Sequence, residues 1–164
     1  MIQNKTLLNS LLAMIYIAML GDITLLFSSP FWLNAAYEFG YSKVLPIYEP
    51  RYSEAVPSGS YPLMLTFIII CGIVILFALF EGTMVLTNIK KGMPFCRKNA
   101  HCFKRAAIYS FILSFAFFAK MIFSSSLLTL LCACFLFAGA LLLLVLSQLF
   151  GLAAKIKEEN ELTI

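Results

Sequence analysis

The chain has 164 residues, of which 62% are hydrophobic and 12% charged, with a formal net charge of +4. Soluble domains are roughly 45–50% apolar and about 25% charged, and a domain of this size has too much surface for its volume to hide the excess from water. Composition therefore excludes a water-soluble globule and makes lipid the solvent, and the length fits one domain.

In chain order, four apolar runs approach the ~20 residues that cross a hydrocarbon core. The first, 7–29, carries Asp22 and has no small-x-small cleavage site before Pro30, which predicts a retained helix and not a secretory signal. The loop over 30–61 is dense in aromatics (Phe31, Trp32, Tyr37, Phe39, Tyr41, Tyr48, Tyr52 and Tyr61) and is interrupted by Pro46, Pro50 and Pro57. Rings of this kind suit the membrane–water interface. A short interfacial helix over 31–41 is expected, followed by an irregular cap over the bundle.

The second run covers 62–86 and leads into a basic loop over 87–105. In that loop Gly92 follows Lys90 and Lys91, a helix stop with cations in the last turn. Pro94 suits the first position of a new helix, and nothing from Phe95 onward breaks it. The third helix is therefore expected to begin two to three turns before its apolar run, 106–123. Ser124, Ser125 and Ser126 connect it to the fourth run, 127–153, which should project through Lys155 and Glu158 into an acidic tail. The fold class is all-α, a membrane-embedded four-helix bundle.

Orientation follows from the flanking cations. Lys90, Lys91, Arg97, Lys98, Lys104 and Arg105 supply half of the twelve basic residues, and the 87–105 loop has no acid. The 30–61 loop sets Lys43 and Arg51 against Glu38, Glu49 and Glu54. Both termini and the basic loop are thus expected in the cytoplasm. Clustered juxtamembrane cations are not the spread of a nucleic-acid-binding face, so direct nucleic-acid binding is not expected.

Ionisable residues at bilayer depth suggest pairing or function. Asp22 lies fifteen residues into the first run and Lys120 fourteen into the third. Both runs ascend from the cytoplasm, so equal depth predicts an intramembrane Asp22–Lys120 pair, with outward snorkelling of Lys120 as the alternative. Glu81 and Gln148 form an inner polar layer, in which Glu81 bonds either to Gln148 or to the basic loop. Gly72, Ala78 and Gly82 on the second run, and Ala133, Gly139 and Ala140 on the fourth, allow close helix approach. Cys96, His101 and Cys102 lack a second CxxC-type pair, so neither a metal nor a cofactor is expected. No nucleophile elbow, zinc motif or P-loop is present, and no enzymatic activity is expected.

Two stretches carry a family resemblance. One is Gly92-Met93-Pro94-Phe95, with Asn99 and then Lys104-Arg105. The other is the closing Glu158-Glu159-Asn160-Glu161-Leu162-Thr163-Ile164. Together they resemble the bacterial membrane family known as domain of unknown function 2975, with Glu161 standing where Asp is usual. The resemblance implies no catalytic residues. It implies a membrane partner of a small helix-turn-helix regulator, because such proteins are often encoded beside one. The docking surface would join Pro94, Phe95, Arg97, Lys98, Asn99, Lys104 and Arg105 to a folded-back tail of Glu158, Glu159, Glu161, Leu162 and Ile164. Two other readings are a small ion-coupled transporter built on Asp22 and Lys120, and a bacteriocin-immunity or envelope-protection protein.

Overall fold

The computed structural model describes residues 5–39, 61–121 and 127–162, with side chains at 5–35, 61–121 and 127–160. They form α1 (Lys5–Phe39), α2 (Tyr61–Lys90), α3 (Arg97–Lys120) and α4 (Leu127–Leu162). All four helices are long and apolar enough to cross a membrane. The helices pack in chain order, α1 on α2, α2 on α3 and α3 on α4, and the last interface is the most extensive. Among the described residues no comparable interface joins α1 to α3, or α4 to α1 or α2.

The inward stripe of α1 steps by four and three residues through Leu8, Leu12, Ile15, Met19, Asp22, Leu26, Ser29 and Leu33, all buried or half-buried. That spacing is a heptad seam, which keeps one face of the helix on its neighbour over several turns. At its centre Gly72 of α2 lies against Leu26, where an added methyl would overlap the leucine side chain. The helix does not stop at Pro30, as the sequence reading expected, and no separate interfacial helix begins at Phe31. Proline removes the N–H that would bond the carbonyl of Leu26. Ser29 Oγ donates to that same carbonyl at 2.8 Å, so the chain continues as helix to Phe39. Tyr61 Oη then donates to the Pro30 carbonyl at 3.4 Å, fastening the start of α2 to α1. The expected aromatic cap at Tyr41, Tyr48 and Tyr52 and the three-serine connection lie outside the described residues.

The end of α2 follows from Gly92, which adopts φ +78°. Its N–H bonds the Ile89 carbonyl and that of Met93 bonds Asn88, each at 3.0 Å. This paired closure satisfies the last carbonyls of a helix and needs a residue without a Cβ penalty at positive φ. The next helix begins later than Pro94 suggested. Cys96, extended at φ −130° and ψ 150°, is the N-cap, and Arg97 opens α3.

Between α3 and α4 the contact runs through small residues seven apart. Ala100, Ala107 and Ser114 on α3 face Ser147, Ala140 and Ala133 on α4, and Ala107, Ser114, Ala133 and Ala140 have no exposed surface. Two hydrogen bonds fix the register: Ser114 Oγ donates to the Ala133 carbonyl at 2.9 Å and Ser147 Oγ to that of Ala100 at 2.8 Å. Without a hydrophobic drive inside lipid, close backbone approach and interhelical hydrogen bonds are what hold helices together. α4 then runs on as helix to Leu162. At ~1.5 Å per residue it is about 54 Å long, well beyond the ~30 Å hydrocarbon core. Through Leu162 the chain therefore continues straight on without the expected fold-back, because the backbone hydrogen-bond ladder runs to the end of the described helix.

Candidate functional site

Apart from Asp22 and Lys120, the charged side chains among the described residues gather at one end of the bundle, around the α2–α3 turn. The turn is built from Asn99, which is completely buried. Its Oδ1 accepts from Asn88 Nδ2 at 2.7 Å. Its Nδ2 donates to the Pro94 carbonyl at 2.8 Å and, more weakly, to that of Met93 at 3.5 Å. One amide thus holds the end of α2, the turn and the first turn of α3 in a single geometry. Asn99 was expected on the docking surface, but its burial makes it the frame of that surface and removes it as a contact.

Around this frame the turn presents Met93 and Phe95, 47% and 49% exposed, with Lys90, Lys91, Arg97 and Lys98 exposed beside them. The Phe95 ring packs against Phe150 of α4, centroids 5.7 Å apart, and Phe103 packs on Phe150 at 4.9 Å. Arg97 pairs across to Glu158 at 2.6 Å, and Lys155 lies 3.8 Å from Glu159 within α4. The basic turn and the acidic helix end therefore do meet, through Arg97 and Glu158. The side chains of Glu161, Leu162 and Ile164 lie outside the described residues. Pro94 is half-buried and Lys104 exposed.

Of the two alternatives for the inner polar layer, the second is formed. Arg105 meets Glu81 with both ends of its fork, Nε to Oε1 at 2.9 Å and Nη2 to Oε2 at 3.0 Å. The Glu81 side chain is 7% exposed and that of Arg105 is 52% exposed. Two-point geometry of this kind is the strong form of a carboxylate–guanidinium contact. Gln148 is exposed and takes no part in it. Cys102 is buried under Arg105 Nη2, 3.8 Å away, while His101 is exposed, so these two side chains do not converge.

Asp22 and Lys120 do not meet. Asp22 sits in the α1–α2 seam, one turn from Leu26, with a buried Oδ2 that has no hydrogen-bond partner. Lys120 is the last residue of α3, its Nζ 5.4 Å from the centre of the Phe67 ring on α2. Equal depth was counted from the starts of the apolar runs. In the fold Leu26 lies against Gly72 while Lys120 lies against Phe67, and α1 and α3 share no substantial interface. Asp22, four residues before Leu26 on a helix antiparallel to α2, falls still farther from Phe67. Lys120 is held by a ring face at the end of α3, and the sequence signal for this offset is its nearness to the end of the third apolar run, which underlay the outward alternative.

Four long apolar helices joined by a charged turn define a small multi-pass membrane protein. The family model described as Protein of unknown function (DUF2975) matches residues 28–164, and the chain belongs to that family. No curated protein and no solved structure matches it. The matched region takes in the basic turn and the whole of α2, α3 and α4, and it leaves Asp22 outside.

Proposed function

We propose that this protein is a non-enzymatic membrane partner that docks or restrains a soluble regulator at its basic end, in the cytoplasm of a bacterial cell. The observation that supports this reading best is the turn held by Asn99. It offers two exposed apolar side chains, Met93 and Phe95, on a rigid frame surrounded by cations. Exposed apolar groups rimmed by charge are how protein partners are met, and a framed turn loses little freedom on binding. The Arg97–Glu158 contact extends the surface onto α4. The helix-turn-helix class of partner comes from the family resemblance alone.

The test is co-purification from solubilised membranes with a regulator encoded beside the protein. Full-length chain should retain it, and a Met93→Ala/Phe95→Ala variant should lose it while still inserting. Removal of residues 158–164 should weaken retention. Equal retention by all three would reject this surface as the dock.

A further inference from the structure

A second feature of the basic end lies on the outer flank of the α3–α4 seam. A groove of about 280 Å³ runs between the helices, lined by Arg97, His101 and Lys104 of α3 and Lys155 of α4, over a floor of Ala100, Ser147 and Gly151. The floor is shallow because its residues are small; a methyl added at Gly151 would already touch Ala100. Three cations and one imidazole therefore line one concave surface. Lys104 has no acidic partner among the described residues. Arg97 gives one edge of its guanidinium to Glu158, leaving other N–H donors unused. The Lys155–Glu159 separation of 3.8 Å is too long for a hydrogen bond.

The groove sits at a defined level of the molecule. Toward the membrane α3 carries no charge from Ala106 to Ala119, and α4 carries none from Leu127 to Ala154. The cations thus ring the border between the charged and apolar lengths of both helices. One to two turns further in, on the same flank, Ile108 and Leu141 are exposed and Phe111 packs edge-on to Phe137 at 5.4 Å. A concave cationic border above an exposed apolar strip matches a molecule with a phosphate at one end and hydrocarbon at the other. Basic pockets between membrane helices at this level suit anionic headgroups.

We infer that the α3–α4 groove is a phosphate-binding site whose ligand is an anionic phospholipid headgroup, held by Arg97, Lys104 and Lys155. This inference is independent of the regulator dock, since it requires only the protein and lipid. The test is native mass spectrometry of the full-length protein with equal amounts of phosphatidylglycerol and phosphatidylcholine. Phosphatidylglycerol should be retained preferentially. Lys104→Gln, which breaks no described contact, should weaken it about fivefold, and Lys104→Gln/Lys155→Gln by more than about tenfold, as expected for basic groups at an anionic surface. Lys90→Gln/Lys91→Gln removes the same charge outside the groove and should leave retention within about twofold, because neither side chain lines it and exposed charges are screened by salt. A competition arm with inorganic phosphate separates the sources of the ligand. Failure to displace phosphatidylglycerol supports the lipid, and displacement keeps the phosphate site but assigns it a soluble ligand. Equal retention of the two lipids, or equal loss in the two double variants, overturns the site.

Discussion

At Asn99 a single amide serves Asn88, Met93 and Pro94 in a space closed to water. Asn99→Ala would leave the Asn88 amide and two carbonyls to find other partners, at ~1–3 kcal/mol for each buried group left unmade. The variant should unfold at lower denaturant and be cleaved sooner between Lys91 and Cys96. Asn99→Asp keeps the acceptor for Asn88 and loses both donors, so it should rescue little; full rescue would show that the turn carbonyls do not need the amide. Asp22 gives the opposite expectation. Its Oδ2 is buried in the α1–α2 seam without a partner, and a buried polar group without a partner costs free energy. Asp22→Leu should therefore hold or raise stability in detergent, and combining it with Lys120→Ala should give additive effects, as for separated sites. A coupling above ~0.5 kcal/mol in that cycle would mean that the two residues interact after all. Glu81 and Arg105 should couple. Arg105→Ala should cost more than Arg105→Ala/Glu81→Leu, though less than the ~3–5 kcal/mol of a fully buried pair, because Arg105 is half exposed.

The elements were legible where local chemistry decides them and illegible where a neighbour does. Gly92 ends α2 because only positive φ closes the helix there, and the cations before it said so in advance. The run of α3 out of the basic loop and of α4 past Lys155 were equally plain, because nothing in either stretch breaks a helix. Pro30 misled, since the compensating bond from Ser29 to the Leu26 carbonyl depends on a rotamer that sequence does not give. Ser29→Ala should accordingly cost about 1 kcal/mol, as the loss of one hydrogen bond, and loosen the Tyr61 contact one residue on. The α3–α4 seam was within reach but unread. Ala133 and Ala140 mark the close approach in the sequence, yet the seven-residue step that adds Ser147, and that matches Ala100, Ala107 and Ser114 on α3, takes meaning only once the register of the two helices is fixed. Ala140→Leu should cost at least ~1–3 kcal/mol by overpacking, whereas Ala138→Leu, on an exposed face, should be close to neutral in the same unfolding assay.

For the whole molecule, antiparallel packing of consecutive helices fixes a relation that charge alone leaves open. Leu26 meets Gly72 while Ile15 faces Gly82, Glu81 meets Arg105 while Phe67 meets Phe117, and Ser114 meets Ala133 while Ala100 meets Ser147, so each helix runs opposite to the one before it. With four such helices, Lys5 and Leu162 lie at the same end as the α2–α3 turn, and Phe39 and Tyr61 lie at the other. The turn end carries Lys90, Lys91, Arg97, Lys98, Lys104, Lys155 and Lys157, and this cluster of cations is the basis for expecting that end on the cytoplasmic side. Cysteine-labelling of single-cysteine variants in intact cells reads this directly. A cysteine at Lys98 or Lys157 should resist a membrane-impermeant maleimide until the cells are opened, while one at Ser58 should react at once. Labelling at Ser58 and Lys98 from the same side would break the antiparallel order itself. Labelling of Lys98 and Lys157 from outside would keep that order and invert the molecule, removing the regulator dock from the compartment where a soluble regulator is found. Replacing Lys90, Lys91 and Lys98 with Gln weakens the asymmetry without touching the Asn99 frame, so a mixed population of orientations is expected from that variant and a single one from the parent.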